Sequence, residues 1–204
     1  MPTRPVVLRN SLEIEDPLAV VLGFLEAYPS ADVTGHPRPG SFGESDLRLA
    51  NRGGARISAA EIASILGRRH AIELALRTIR PGASLAGLAA SVPWQPLRQL
   101  FDAFADIRGV GFSKMTKALH PKRPALIPML DSIVEKYLED DDPGSQAPFG
   151  ERAIALVRGY KRDLDLNRAA VSTLRNELAR RNHALTEVRI LDLLIWSVQA
   201  GRDR

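Results

Sequence analysis

Apolar residues recur every three to four positions in one stretch after another of this chain, and no convincing run of them alternates with polar ones. Leu97, Leu100, Phe101 and Phe104 share one face, as do Ile154, Val157, Tyr160 and Leu164, and then Val171, Leu174 and Leu178. That period returns side chains to one side of a helix, whereas a half-buried strand needs a period of two. The punctuation agrees. Asp16 before Pro17 is an N-cap followed by the imino acid that suits a first helical position, and Ser58 with Glu61 has capping-box spacing. These signals predict a buried first helix from residue 17 and a second running from Ser58 to about Ile79 with a break at Gly67. A third ends at Ile107, and a last one after Thr186 is apolar around most of its circumference. The Gly-, Pro- and Ser-rich stretch before Ser58 reads as a long surface loop with one short helix near Ser45 to Asn51. The expectation is an all-α fold, one domain over residues 1–204, without internal repeats.

Composition removes several classes of function. With no cysteine there is no disulfide, thiolate metal site or cysteine-held iron–sulfur cluster. His36, His70, His120 and His183 are scattered without zinc-site spacing. No cofactor and no metal are expected. The first residues turn polar too early for a secretory signal, and no apolar run approaches a membrane span, so the expectation is a cytoplasmic protein without membrane contact. The net charge of +4 is a weak sign of an anionic partner. Its distribution says more: Arg108, Lys114, Lys117, Lys122 and Arg123 follow one another with no acid between, whereas five acids stand against Lys136 between Glu135 and Asp142.

That basic cluster lies within "IRGVGFSKMTKALHPKRPALIPMLDSIV", residues 107–134. A helix, a tight turn "RGVG" and a second helix over Phe112 to Leu119 make a helical hairpin, in which glycine permits backbone geometry and close approach that a Cβ would block. The unpaired amides and positive dipole end of the second helix then form a site for a phosphate oxygen. Phe112, Met115, Ala118 and Leu119 fall on its core side, and Ser113, Thr116, Lys117 and His120 on a polar stripe. The residues expected to meet DNA are Arg108, Gly109, Val110, Gly111, Phe112, Ser113, Lys114 and Lys117. A plain structural turn with solvated lysines is the competing reading.

"GVG" at 109–111, the Pro-containing "RPALIP" at 123–128 and Asp131 together resemble the signature of the helix-hairpin-helix DNA glycosylases, in particular the endonuclease III-like and 8-oxoguanine glycosylase-like branches. The likeness is strong over about residues 100–138, with the hairpin at about 97–119 and the Pro loop and aspartate at 121–134. It implies a two-lobed helical bundle and a monomer acting on double-stranded DNA that contains a modified or damaged base. It also implies Asp131 as the catalytic carboxylate, stabilising a cationic sugar and activating water. Members that also cut the backbone carry a lysine two residues after the second glycine. Ser113 stands there, and Lys114 is rotated about 100° away along the helix, so a monofunctional enzyme that leaves an abasic site is expected. The alternative is a non-catalytic DNA-binding hairpin in which Asp131 only caps the helix "SIVEKYL".

The remaining expectations are structural. Trp94, Trp196, Phe101 and Phe104 belong to the core, with the walls of a pocket for the flipped base as their other reading, Arg189 and Asp192 form an internal ion pair, and His120 ends a helix or contacts phosphate. The loop from Thr34 to Ile57, with Phe42, Asp46, Asn51, Arg52 and Arg56, is expected to read the extruded base or the opposite strand.

Overall fold

The computed structural model describes residues 4–28 and 38–202 and is mostly helical. Its helices are α1 (Pro17–Ala27), α2 (Glu44–Arg52), α3 (Ala59–Gly67), α4 (Arg69–Thr78), α5 (Trp94–Asp102), α6 (Phe112–Leu119), α7 (Ser132–Tyr137), α8 (Phe149–Leu166), α9 (Arg168–Arg180) and α10 (Glu187–Arg202). Residues 1–3, 29–37 and 203–204, and with them His36 and part of the expected reading loop, lie outside the described residues. No described helix is long and apolar enough to cross a membrane.

The caps behave as their chemistry requires. Asp16 Oδ1 accepts the Ala19 amide at 3.0 Å, and Ser58 and Glu61 exchange hydrogen bonds across the start of α3. The expected break falls at Gly67–Arg68, where the helix restarts as α4. Beside the helices, and compatible with the all-α expectation, Val6–Leu8 and Leu12–Ile14 form a small two-stranded antiparallel hairpin, β1 and β2. Three-residue strands are too short to display a period. The hairpin is held from outside, because the Asn167 side chain both accepts from Val7 N and donates to Val7 O at 2.8 Å.

Packing places α10 against α1, α7, α8 and α9, and α5 between α4 and α8. Val188, Ile190, Leu191, Leu193, Leu194 and Ile195 are buried, as the apolar circumference of α10 requires. Each such side chain contributes about 1.5–3 kcal/mol relative to exposure. The segment joining α6 to α7 is fixed by Arg123, which is 1% exposed. Its guanidinium donates to the carbonyls of Pro39, Lys122, Leu76 and Ile79 at 2.7–2.8 Å, which ties that segment to α4.

Candidate functional site

The connection between α5 and α6 is longer than its sequence suggests, since α5 stops at Asp102 and not at Ile107. The turn proper is Ile107–Val110, closed by Val110 N donating to Ile107 O at 3.0 Å. Its third residue, Gly109, has φ +81°, the left-handed value a type II turn demands there. A Cβ on Gly109 would also collide with Glu61 Oε1. Gly111 is different: it is extended at φ −96°, and a Cβ on it would meet nothing within 4 Å. The turn therefore needs glycine at 109, while bareness at 111 leaves open the space in front of α6. Met115 is the first residue to donate into the α6 region, to Gly111 O, so the amides of Phe112, Ser113 and Lys114 have no intrahelical acceptor.

The basic cluster divides on folding. Lys122 and Arg123 are buried, the former against Asp46 at 2.8 Å, and neither belongs to a DNA face. Lys114 lines the same cleft as the turn, but its ammonium is bound to Glu61 at 2.7 Å, and this pairing, aided by the Ser58 amide, lowers the Glu61 pKa. Arg108 is exposed, and Lys117 reaches the Gly54 carbonyl at 3.4 Å. Val110 and Phe112 turn their side chains into the core, and the Phe112 ring stacks at 4.7 Å on Phe149 beneath the Arg152 guanidinium. Of the expected DNA contacts, these two can offer only backbone.

Asp131 caps α7: Oδ1 accepts the amides of Ile133 and Val134, each at 3.1 Å. The loop that carries it is positioned at its backbone. Thr116 Oγ1 accepts the Leu130 amide at 3.0 Å, and Asp192 Oδ2 accepts the Met129 amide at 3.2 Å. The half-buried Asp131 stands where two hollows meet. An open cleft of about 750 Å³ runs along Gly109, Gly111, Ser113 and Lys114 to Glu135 and Arg152, and a closer cavity of about 320 Å³ is walled by Phe24, Tyr28, Leu193 and Trp196. Lys117, Asp131 and Trp196 line both.

Two further carboxyls shape the electrostatics. Burial pushes Glu135, one helical turn past Asp131 and in the cleft, up to about 7, with Asp131 and Asp142 adding to the rise and Arg152 opposing it. Near neutrality Glu135 is protonated part of the time, which reduces the negative charge of the cleft. Burial likewise lifts Asp192 to about 7, opposed by Arg189 and the Met129 amide and assisted by Asp131. His120 goes the other way, to about 4, through burial and then Arg189. It is 1% exposed with Nδ1 2.6 Å from Ile127 O, so it ends α6 and does not contact phosphate.

Other expectations are redistributed. Phe42 is buried edge-on to Phe104, Asp46 pairs with Lys122, and the Asn51 side chain brackets the backbone of Ile57, so these three brace the loop and do not read a base. Arg52 and Arg56 remain at the cavity and the cleft respectively. Phe101 and Phe104 are core, and Trp94 is half-buried with Arg158 over its ring. Trp196 is not core but a wall of the cavity, and Arg189 and Asp192 line that cavity with Asp131. Sequence reasoning missed Phe24, Tyr28, Glu61, Glu135 and Arg152. Among the described residues no group of three or more His, Asp or Glu gathers as metal ligands do.

Residues 33–199 match a protein family described as a family of unknown function, DUF6308. That is most of the chain, which therefore belongs to this family. No curated protein and no solved structure matches it.

Proposed function

We propose that this member of the family is a DNA glycosylase of the helix-hairpin-helix type that removes a modified or damaged base and leaves an abasic site. The observation that carries the reading is the position of Asp131, at the junction of a cleft built on the α6 amides and an aromatic-walled cavity. In this reading the turn and the α6 amides hold a phosphate, with Lys117 beside it. The nucleotide is drawn from the stack into the aromatic cavity. As the base leaves with the glycosidic electron pair, positive charge grows on the sugar opposite the Asp131 carboxylate, and water adds at C1′ with its proton passing to that carboxylate. Only Oδ1 is engaged in capping, which leaves Oδ2 for this work. Ser113 supplies no amine, and the Lys114 ammonium is bound to Glu61, which fits hydrolysis without strand cleavage.

The second reading, a non-catalytic DNA-binding module, is favoured by one observation: Asp131 makes a complete N-cap, a sufficient structural reason for an aspartate there. An excision screen separates the two. Duplexes that each carry one modified base are incubated with the protein and then treated with alkali. Alkali-dependent breaks at one modification class support the enzyme. Duplex binding with no break across the panel supports the module.

A further inference from the structure

The cavity beyond Asp131 holds more than a stacking surface. Asp192, on α10, is 3% exposed and lies among the cavity-lining residues. Its Oδ2 accepts the Met129 amide, while Oδ1 receives no donor among the described residues, because the Tyr160 hydroxyl that faces the carboxylate gives its one proton to Val188 O. A buried carboxylate oxygen without a donor is costly, and such a group calls for a partner that the folded chain does not supply. The rings form a corner. Trp196 stands at 81° to Phe24 and 77° to Tyr28, with centroids 5.1 and 5.8 Å apart, and Tyr28 is 46% exposed. A flat ligand lying on one ring meets the edge of another, an arrangement aromatic groups favour. A volume of about 320 Å³ suits one small ring system.

We propose that this cavity recognises a planar heteroaromatic base bearing an exocyclic amine, of adenine, cytosine or guanine type, which donates an N–H to Asp192 Oδ1 and lies against Phe24, Tyr28 and Trp196. A dione such as uracil has no exocyclic donor, and its N3–H is flanked by two carbonyl oxygens that the same acceptor repels. A cationic ligand is disfavoured as well, because Arg52, Lys117 and Arg189 line the cavity against the two carboxylates Asp131 and Asp192. The other groups facing Asp192 are the Tyr160 hydroxyl of α8 and, beyond Arg189, His120, whose lowered pKa keeps it neutral above pH 6. Since an N–H donor stabilises the ionised acceptor, affinity for an amino base rises as pH passes upward through the Asp192 titration. The inference rests on the glycosylase reading for how a base arrives and not for how it is held.

The test uses the full chain carrying Trp94→Phe, so that Trp196 is the sole tryptophan, and follows its emission as adenine, purine, cytosine or uracil, each methylated at the nitrogen that would carry the sugar, is added. Adenine and cytosine are expected to bind about ten-fold or more tightly than purine and uracil, the range of one hydrogen bond to a charged group. Asp192→Asn should erase that preference while circular dichroism stays helical. In the protein with native Asp192, adenine binding should strengthen from about pH 6 to about pH 8. Equal response to the four bases, no response, or a flat pH profile overturns the proposal. A duplex with one unpaired adenine should displace the methylated adenine from this protein and not after Gly111→Val. If it fails to displace, delivery by DNA and the glycosylase reading fall, and the cavity stands as a site for free bases. If duplexes are excised but free bases show no preference, the cavity proposal falls alone.

Discussion

The buried carboxylate of Asp192, one of whose oxygens lacks a donor, makes a stability prediction with a definite sign. Its pKa is raised from 3.8 to about 7 on folding, chiefly by burial. The folded chain therefore holds this proton more firmly than the unfolded chain, and stability contributed by the neutral form is lost as pH rises toward 7. At 1.36 kcal/mol per unit, the loss between about pH 5 and pH 8 is roughly 2–3 kcal/mol. Asp192→Asn removes that titration and keeps an acceptor for the Met129 amide, though its new N–H₂ group needs a partner of its own and costs about 1–3 kcal/mol at every pH if it finds none. The pH-independent offset cancels when each protein is compared with itself. Thermal melts of both across this range should show the wild type losing roughly 5–10 °C more than the variant as pH rises. Glu135 titrates in both and drops out of the difference. Parallel melting curves would refute a carboxylate whose burial outweighs the Arg189 charge and the Met129 amide.

Three other outcomes test the hairpin. Gly109→Ala should destabilise the fold by about 1–2 kcal/mol, because of φ +81° and the Glu61 carboxylate. Gly111→Val should cost about 1 kcal/mol or less through the cap yet weaken binding to every duplex; a larger melting shift at 111 than at 109 would contradict the turn assignment. Lys117→Ala should reduce the salt slope of duplex binding by up to about one, and Glu61→Gln, by releasing Lys114, should steepen it by a similar amount; two unchanged slopes would show that α6 does not meet phosphate. Borohydride should fail to trap the protein on DNA, with breaks appearing only after alkali. Trapping that disappears in Lys117→Ala would instead assign that amine, one turn from Ser113, as a nucleophile.

Local chemistry was readable in the sequence wherever one element decides it. The periodicity of α8 to α10, the capping box at Ser58 and the cap at Asp131 all depend on residues within a few positions of each other. The end of α5 was not readable, because Phe104 and Ile107 continue its apolar spacing although the chain has already turned. Nor could the spelling "GVG" show which glycine has positive φ. Charge counting treated Lys122 and Arg123 as surface, and only the carbonyls of α4 and the carboxylate of Asp46 explain their burial. The aromatic cavity is a tertiary product of the end of α1 and of α10, since Phe24 and Tyr28 lie far from Trp196 in sequence and the three carry no motif.

Asp131→Asn, assayed for both excision and duplex binding on a substrate found in the screen, bears on the proposed chemistry most directly. Asparagine keeps the size of the side chain and an oxygen for the Ile133 and Val134 amides, so α7 stays capped while the charge opposite the sugar is gone. The expected result is excision reduced by about a hundred-fold or more, the scale of one lost transition-state interaction, with binding unchanged within a few-fold. Excision at the wild-type rate would show that Asp131 is a helix cap and nothing more.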